Sequence, residues 1–349
     1  MTLRTSDSQN GPSCRSLPLG AAAQAWAAPD RPLFSIVIGV YDDWASLDHC
    51  LQSLVQETGG PSFEVIVVDD GSEDRAPEFI LRWNHFYGLS VVRQAHAGVA
   101  AARNRGVQIA RGEILLFMDA DCRFQPDCLA ALSATAKGAP HQDCFQLRLT
   151  GDPTSLVGKV EELRLYTLQK HLRQPNGCIR YLNTAGFAIR RTRVDLDGFV
   201  FDPGAVRAED TLVLANLIQE RALPLFVDDA VIQHAVSISL LEFFRKGTLS
   251  AFQEGRTYEV IASKGVQIRV SHRERLRMLA SMWRTSRQSS IGRTAWLALT
   301  ARQILRLLAS YVYRCSRSLI EVTHPGVRTE DSKSISCSRG LLHYHGKRL

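Results

Sequence analysis

Two carboxylates separated by one residue follow an apolar run near the middle of the chain. Asp119 and Asp121 come directly after residues 115–118, Leu-Leu-Phe-Met, which are typical of a buried strand. Carboxylate oxygens are the ligands that Mg²⁺ and Mn²⁺ prefer, often together with substrate phosphates. The pair therefore predicts a divalent metal site. A solvated turn at a strand end is the simpler alternative.

Two further apolar runs also end in acidic pairs. Residues 63–68 run into Asp69 and Asp70, and residues 225–227 run into two Asp at 228–229. In an open α/β sheet, ligands bind outside the carboxyl ends of the strands, so the three runs predict one shared active edge. The Asp residues at 228–229 are nevertheless predicted to be turn residues, because strand ends commonly carry Asp.

Composition narrows the class of protein. With 349 residues, 45% of them hydrophobic and 22% charged, the chain is long enough for one large domain with an appendage and is typical of a soluble enzyme. Its eight cysteines lack the paired spacing of a zinc site. Scattered cysteines fit a reducing compartment, so we predict a cytoplasmic location.

Charge is distributed unevenly along the chain. Residues 1–239 hold 22 Lys and Arg against 28 Asp and Glu, whereas residues 240–349 hold 20 against 7. A basic C-terminal third predicts contact with an anionic partner such as phospholipid head groups, and hence a peripheral position on the cytoplasmic face of the membrane. Nucleic acid is not expected, because no recognised binding motif is present.

The pattern of strands and helices divides the chain into four parts. Residues 1–32 are predicted to be a disordered leader, and residues 33–239 alternate strand and helix, which is typical of a mostly parallel α/β sheet flanked by helices. Residues 240–325 are predicted to be a helical, basic extension, and residues 326–349 a flexible tail.

Only one segment of the extension is a candidate for crossing a membrane. Residues 295–313 are apolar, but Arg302 and Arg306 lie in the middle. Each would cost about 2.5–3.5 kcal/mol at a bilayer centre. We therefore expect an in-plane amphipathic helix, or a helix packed on the catalytic domain, rather than a span.

Several motifs in order resemble the inverting glycosyltransferases of family 2, over about residues 33–236. Their segments are Phe34-Ser-Ile-Val-Ile-Gly-Val-Tyr-Asp42, Val67-Val-Asp-Asp-Gly-Ser-Glu-Asp74, Gly98-Val-Ala-Ala-Ala-Arg-Asn-Arg-Gly106, Ala110-Arg-Gly-Glu113, Asp119-Ala-Asp121, Gly186-Phe-Ala-Ile-Arg190, Asp197-Gly-Phe199 and Glu209-Asp210. In the first, Gly39 replaces the usual proline and Asp42 the usual asparagine. The resemblance implies the GT-A fold and transfer of a sugar from a nucleotide-diphospho-sugar.

The resemblance also implies a metal site and a catalytic pair. Asp121 is implied as the metal ligand, Mn²⁺ or Mg²⁺ as the cation, Asp119 as a residue near the ribose or donor sugar as well as the metal, and His234 as the residue that completes the metal site. Asp210, beside Glu209, is implied as the base that takes the proton of the acceptor hydroxyl. A structural histidine and ordinary acidic residues in a first helical turn are the alternatives.

The remaining implied residues bind the nucleotide-sugar, for which a UDP-sugar is favoured. They are Val40, Tyr41, Asp42, Asp69, Asp70, Arg103, Asn104, Asp119 and Ala120. An Asp-Gly turn capped by Ser72 would also explain Asp69 and Asp70, and a surface helix would explain Arg103. The acceptor is expected to be a hydroxyl, on a saccharide or a lipid-linked molecule.

Two other classes of protein remain open at this point. A catalytically silent relative that acts as a binding or scaffold subunit would need the acids only for structure. A nucleotidyltransferase would need a glycine-rich, basic signature after the first strand, and residues 40–44, Val-Tyr-Asp-Asp-Trp, contain none.

Overall fold

The computed structural model describes residues 31–323, apart from 195–198, 204, 206–207, 237, 264, 267, 269–271 and 289–291. Nearly all of the predicted leader, the whole predicted tail and Asp197 of the acceptor-side motif lie outside these residues.

The described strands form one eight-stranded sheet in the order β3-β2-β1-β4-β7-β6-β8-β5. Their bounds are β1 Phe34–Val40, β2 Phe63–Asp69, β3 Gly88–Arg93, β4 Ile114–Asp119, β5 Cys122–Phe124, β6 Cys144–Gly151, β7 Phe187–Arg190 and β8 Leu225–His234. Six strands run in one direction, while β7 and β5 run against their neighbours. The prediction of a mostly parallel sheet is confirmed, with two reversed strands that the sequence pattern did not indicate.

Helices cover both faces of the sheet. Their bounds are α1 Trp44–Ser53, α2 Glu78–Leu81, α3 Val99–Ile109, α4 Cys128–Gly138, α5 Leu156–Leu172, α6 Glu209–Gln219, α7 Leu240–Ser263, α8 His272–Gln288 and α9 Gly292–Thr323. Along β1, Ile36 and Ile38 face one core cluster with α1 and α4, whereas Val37 faces a second cluster with α3 and α6. Burial of both faces explains why these strands are continuous apolar runs.

The prediction of turn residues at 228–229 is wrong. Strand β8 continues through both Asp residues, and its register with β6 shifts between Leu147 and Arg148. This irregularity leaves Asp228 exposed, where it pairs with Arg148 and Arg173 at 3.5 and 2.9 Å. A strand bulge can absorb such residues without ending the strand. The third acidic pair therefore lies within β8, and His234 is the residue at the carboxyl end of that strand.

The C-terminal helices pack on α5. Val160 and Leu163 of α5 form a buried cluster with Met282 of α8 and Leu299 of α9. The arginines inside the apolar segment face α7: Arg302 lies over the Phe243 ring, 4.4 Å from its centroid. Among the described residues, no helix combines the length and apolarity needed to cross a bilayer.

Candidate active site

The first cluster of the candidate site forms where β4 ends. The chain turns at Ala120 and Asp121 directly after Asp119, and β5 then begins at Cys122, which lies opposite His234 of β8. The reversal brings Asp121 Oδ2 to 3.1 Å from His234 Nε2. Sheet topology therefore joins two residues that are 113 positions apart in the sequence.

This cluster has the donor chemistry of a divalent metal site. Ligand atoms of Asp121, Cys122 and His234 lie within 4.8 Å of one another. Burial raises the pKa of the Cys122 thiol well above its usual value, and a soft sulfur ligand suits Mn²⁺ or Mg²⁺ less well than oxygen and imidazole donors. A carboxylate and an imidazole remain, and they fit a cation such as Mn²⁺.

The electrostatics of the pair also suit a cation. Burial disfavours the imidazolium, but Asp121 and then Glu161 outweigh it and raise the pKa of His234 to about 10. Burial likewise opposes ionisation of Asp121, yet His234 holds the pKa of that carboxyl below its usual value. The protonated imidazole of His234 supplies a positive charge beside the Asp121 carboxylate. A bound metal would displace that proton, because metal ligands must be deprotonated.

A second cluster joins the DXD motif to the predicted catalytic acids. The guanidinium of Arg103, on α3, donates to Asp119 Oδ1 at 2.6 Å and to Glu209 Oε1 at 2.6 Å. Its side chain is 3% exposed, so Arg103 is not a surface helix arginine. Burial disfavours its charge, but the two carboxylates raise the pKa of Arg103 above its usual value. One buried cation thus holds both sides of the site together.

Asp210 is the group here with the properties of a general base. It lies in the first turn of α6, where Thr211 donates its backbone N–H and its hydroxyl to Asp210 Oδ1 at 2.6 and 3.0 Å. Burial, and then the neighbouring charge of Glu209, raise the pKa of Asp210 to about 7. A carboxyl that titrates near neutral pH can accept a proton from an acceptor hydroxyl and release it again.

The end of β2 lies at the same edge of the sheet. Asp69 opposes Val40, and Asp119 opposes Gly39 on the other side of β1. Asp69 accepts the backbone N–H of Ser72 at 2.9 Å and pairs with Arg93. The structure therefore supports the predicted active edge. The Asp69 carboxylate closes the turn, whereas the Ser72 hydroxyl accepts the backbone N–H of Asp42 and caps no helix among the described residues.

Asp70 shapes the segment that follows β3. Its carboxylate accepts backbone N–H groups of Ala97 and Gly98 at 3.0 and 2.9 Å, and the side-chain amide of Gln94 at 2.7 Å. This segment presents His96, whose ring lies 4.5 Å from the half-exposed Tyr41 ring. Asp70 thus positions the segment that carries His96 beside Tyr41, and direct contact of Asp70 with the nucleotide stays a prediction.

Three other predicted residues have mainly internal contacts. The side chains of Val40 and Ala120 are buried in the core, which leaves only their backbone for a ligand. Asn104 is buried too, and its amide binds the backbone of residues 200–201 on the acceptor side. Asp42, in contrast, is exposed and adopts a left-handed conformation with φ of 53°, and it accepts the backbone N–H of Glu73 at 2.7 Å.

Some residues of the site carry little or no signal in the sequence. Glu161 of α5 lies 3.8 Å from His234 on the side away from Asp121 and is paired with Arg164, and His96 lies against Tyr41. The sequence carries a weak signal for the first two, since Glu161 and Arg164 have the i,i+3 spacing of a helical ion pair. Their direction toward His234 depends on the packing of α5.

A sheet whose carboxyl edge carries an acidic turn, a histidine and a neighbouring acid pair is the arrangement expected of the GT-A glycosyltransferase fold. Residues 35–196 match the model of Glycosyl transferase family 2. This segment of the chain is therefore similar to glycosyltransferase family 2, and a helical region follows it.

Curated glycosyltransferases are similar to part of this chain. EpsH of Bacillus subtilis (strain 168) is 32% identical over 132 residues, which cover 37% of this chain and 33% of that protein. The PGL/p-HBAD biosynthesis glycosyltransferase of Mycobacterium bovis (strain BCG / Pasteur 1173P2) is 39% identical over 106 residues, which cover 30% of this chain and 41% of that protein. The chain thus spans about a third to two-fifths of the length of these curated relatives.

A solved structure shares the fold over most of the chain. The mannosyltransferase PcManGT from Pyrobaculum calidifontis, in complex with GDP-Man and Mn²⁺, has a TM-score of 0.50 and 19% sequence identity. The likeness covers 83% of this chain and 81% of that chain.

Proposed function

We propose that this protein is a metal-dependent, inverting glycosyltransferase that moves a sugar from a nucleotide-diphospho-sugar to an acceptor hydroxyl. The observation that carries the proposal is the contact of Arg103 with both Asp119 and Glu209. This contact supports a donor side, which ends in the Asp121 and His234 cluster, adjacent to an acceptor side at Glu209. An inverting displacement needs those two sides on opposite faces of one sugar.

Different residues of this chain would bind the leaving group and activate the acceptor. Asp121 and His234 would hold the metal, which supplies positive charge for the departing diphosphate. On the other side, Asp210 would take the proton from the attacking hydroxyl. The bond from the sugar's anomeric carbon to the acceptor oxygen forms while the bond to the phosphate oxygen breaks, so the anomeric configuration inverts. Arg103 holds Asp119 and Glu209 in place through an ion pair with each.

The cation and donor follow from the same residues. An imidazole ligand suits Mn²⁺ better than Mg²⁺, whose protein ligands are mostly oxygens. We propose a UDP-sugar as the donor. The mannosyltransferase of similar fold was solved with GDP-Man and Mn²⁺, which makes a GDP-sugar the alternative to test.

Nucleotide binding gives a direct test of this function. We expect one of UDP, GDP and dTDP, or its sugar conjugate, to raise the melting temperature in the presence of Mn²⁺ and to do so much less with EDTA. Binding to the native state alone stabilises it by about 2.7 kcal/mol at a ligand concentration of 100 Kd. The absence of a shift with every nucleotide, with and without Mn²⁺, would contradict a nucleotide-sugar site.

We also propose that the helical extension lies on an anionic membrane surface, on the cytoplasmic side, where the acceptor would be a lipid-linked saccharide. Along α9 an exposed apolar stripe recurs at helical spacing, and Leu297, Ile304 and Leu308 are 59%, 53% and 56% exposed. Helix α8 adds five exposed arginines, which are Arg273, Arg275, Arg277, Arg284 and Arg287. Apolar side chains beside exposed basic ones are typical of in-plane membrane helices.

Vesicle binding tests the surface separately from catalysis. We expect the protein to sediment with vesicles rich in phosphatidylglycerol at low salt, and less at high salt, because screening weakens the arginine contacts. Leu308→Glu should reduce binding several-fold, whereas Leu81→Glu, at an exposed position on α2, should not. Equal vesicle binding by the two variants would contradict a membrane surface. If the wild type binds no vesicles and Leu308→Glu loses self-association, the apolar stripe is instead an interface between copies of this chain.

A further inference from the structure

Helix α5 approaches the carboxyl end of β6 unusually closely. Gly151, the last residue of β6, pairs with His234 of β8. A Cβ on Gly151 would lie 2.2 Å from the carbonyl oxygen of Gly158, and a Cβ on Gly158 would lie 1.8 Å from that of Asp152. Only glycine fits at both positions. The first turn of α5 therefore lies directly against the end of β6, which is paired with the end of β8 that carries His234.

This approach brings a buried carboxylate behind His234. Glu161 is 5% exposed, and its Oε1 lies 3.8 Å from His234 Nδ1, the ring nitrogen that faces away from Asp121. The distance is that of an ion pair rather than of a short hydrogen bond. The imidazole thus lies between two carboxylates, with Asp121 on the Nε2 side and Glu161 on the Nδ1 side.

Arg164 holds Glu161 in place. Its guanidinium binds both carboxylate oxygens, with Nε donating to Oε2 at 2.9 Å and a terminal nitrogen donating to Oε1. Burying such a pair removes two charges from water, and apolar residues of similar size would often stabilise a fold as well or better. The ion pair is therefore better explained by what it does to His234 than by a gain in stability.

Contacts of α5 with neighbouring elements restrict the movement of the Glu161 and Arg164 ion pair. Val160 and Leu163, which flank Glu161 on the helix, pack against Met282 and Leu299 of the helical extension. On the strand side, Gly151 donates its backbone N–H to Glu162 at 2.6 Å. Contacts on both sides of α5 thus keep Glu161 at a fixed distance from the imidazole.

We propose that Glu161, held by Arg164, is a positioning residue of the metal site that orients His234 through Nδ1 so that Nε2 faces the cation beside Asp121. The inference rests on the proposed metal-dependent function. A carboxylate at one ring nitrogen keeps the proton there, which leaves the lone pair of the other nitrogen for a metal and makes it more basic. Loss of such an outer partner typically weakens metal binding by about 10- to 100-fold.

Metal affinity measured without substrate tests the inference. We expect Glu161→Gln to raise the Kd for Mn²⁺, followed by electron paramagnetic resonance of the free ion, by about tenfold or more. The matched control is Glu64→Gln. Glu64 is also buried and paired with an arginine, Arg111 at 2.8 Å, but it lies near the start of β2, at the opposite edge of the sheet. The control should keep the Kd of the wild type.

A double-mutant cycle separates positioning from a loss of structure. If Glu161 acts through His234, Glu161→Gln should add little to the loss of Mn²⁺ affinity already caused by His234→Ala. If Glu161→Gln does not fold, Glu161→Asp is the second variant, because it keeps the charge but withdraws the carboxylate by one methylene. It should weaken Mn²⁺ binding, while its melting temperature without Mn²⁺ should stay near that of the wild type.

The outcomes distinguish this inference from the proposed function. If Asp121→Ala loses Mn²⁺ binding while Glu161→Gln and Glu161→Asp bind within about twofold of the wild type, the positioning role is wrong and the metal site stands. If the wild type and Asp121→Ala bind Mn²⁺ equally weakly, the metal site itself is wrong and the inference falls with it.

Discussion

Asp210→Asn is expected to lower the rate of sugar transfer by about 10²- to 10⁴-fold, the range that a general base contributes. The amide cannot accept the proton of the attacking hydroxyl, but it keeps the size of the side chain and its place beside Thr211. Binding of the donor nucleotide should be unchanged, because the predicted donor contacts lie on the other side of Arg103. Steady-state transfer rates and nucleotide melting shifts measure the two properties separately.

The control for this variant is Asp228→Asn. Asp228 also follows an apolar run in the sequence, but the structure leaves it exposed in β8, paired with Arg148 and Arg173. Its removal should leave transfer within about twofold of the wild type, since exposed ion pairs contribute little. Unchanged transfer by Asp210→Asn would show that another group accepts the proton.

The same residue predicts a pH dependence. Burial and Glu209 raise the pKa of Asp210 to about 7, and only the ionised carboxylate accepts a proton. The ionised fraction therefore rises with pH, from about a tenth at pH 6 to about nine tenths at pH 8, and the transfer rate should increase about tenfold across this window. A flat profile from pH 6 to pH 8 in the wild type would argue against Asp210 as the base.

Asp121→Ala is expected to abolish the Mn²⁺-dependent stabilisation by the donor nucleotide and to lower the transfer rate by about 10²- to 10³-fold. This loss of rate corresponds to several kcal/mol of charge stabilisation at the diphosphate. The substitution removes the carboxylate of the proposed metal pair and leaves His234 without its partner at 3.1 Å. Melting curves with nucleotide, in Mn²⁺ and in EDTA, and transfer rates in the same two buffers provide the measurement.

Glu57→Gln is a suitable control for loss of a carboxylate near the same strands. Glu57 is buried, and it accepts the backbone N–H groups of Cys128 and Leu129 at the start of α4 rather than facing the metal pair. It should lower stability without changing the difference between Mn²⁺ and EDTA. If Asp121→Ala kept that difference, the cation would have to be held elsewhere, and the role of the DXD motif would be wrong.

Much of this site follows from the sequence because its signals are local. Apolar runs that end in Asp69, Asp119 and Asp121 indicate buried strands and an edge with carboxylates, since strand periodicity and turn chemistry act over a few residues. The two-residue spacing of the DXD motif and the adjacent Glu209 and Asp210 are equally local. These features were enough to predict the fold class, which the family match and the shared fold confirm.

Tertiary structure decided which of these residues meet. Asp228 has the same local signal as Asp119, but a shift in strand register places it on an exposed part of β8. Arg103 resembles a surface residue of a helix, and only the packing of α3 and α6 at the carboxyl edge places it between Asp119 and Glu209.

Glu161 shows the limit of the sequence most clearly. Its i,i+3 partner Arg164 predicts an ordinary helical ion pair, and nothing local indicates that the pair faces His234. That direction arises from the close packing at Gly151 and Gly158, where a side chain on either would collide with backbone. Local patterns determine which elements form, whereas contacts between residues distant in sequence depend on register and on the distance between packed elements.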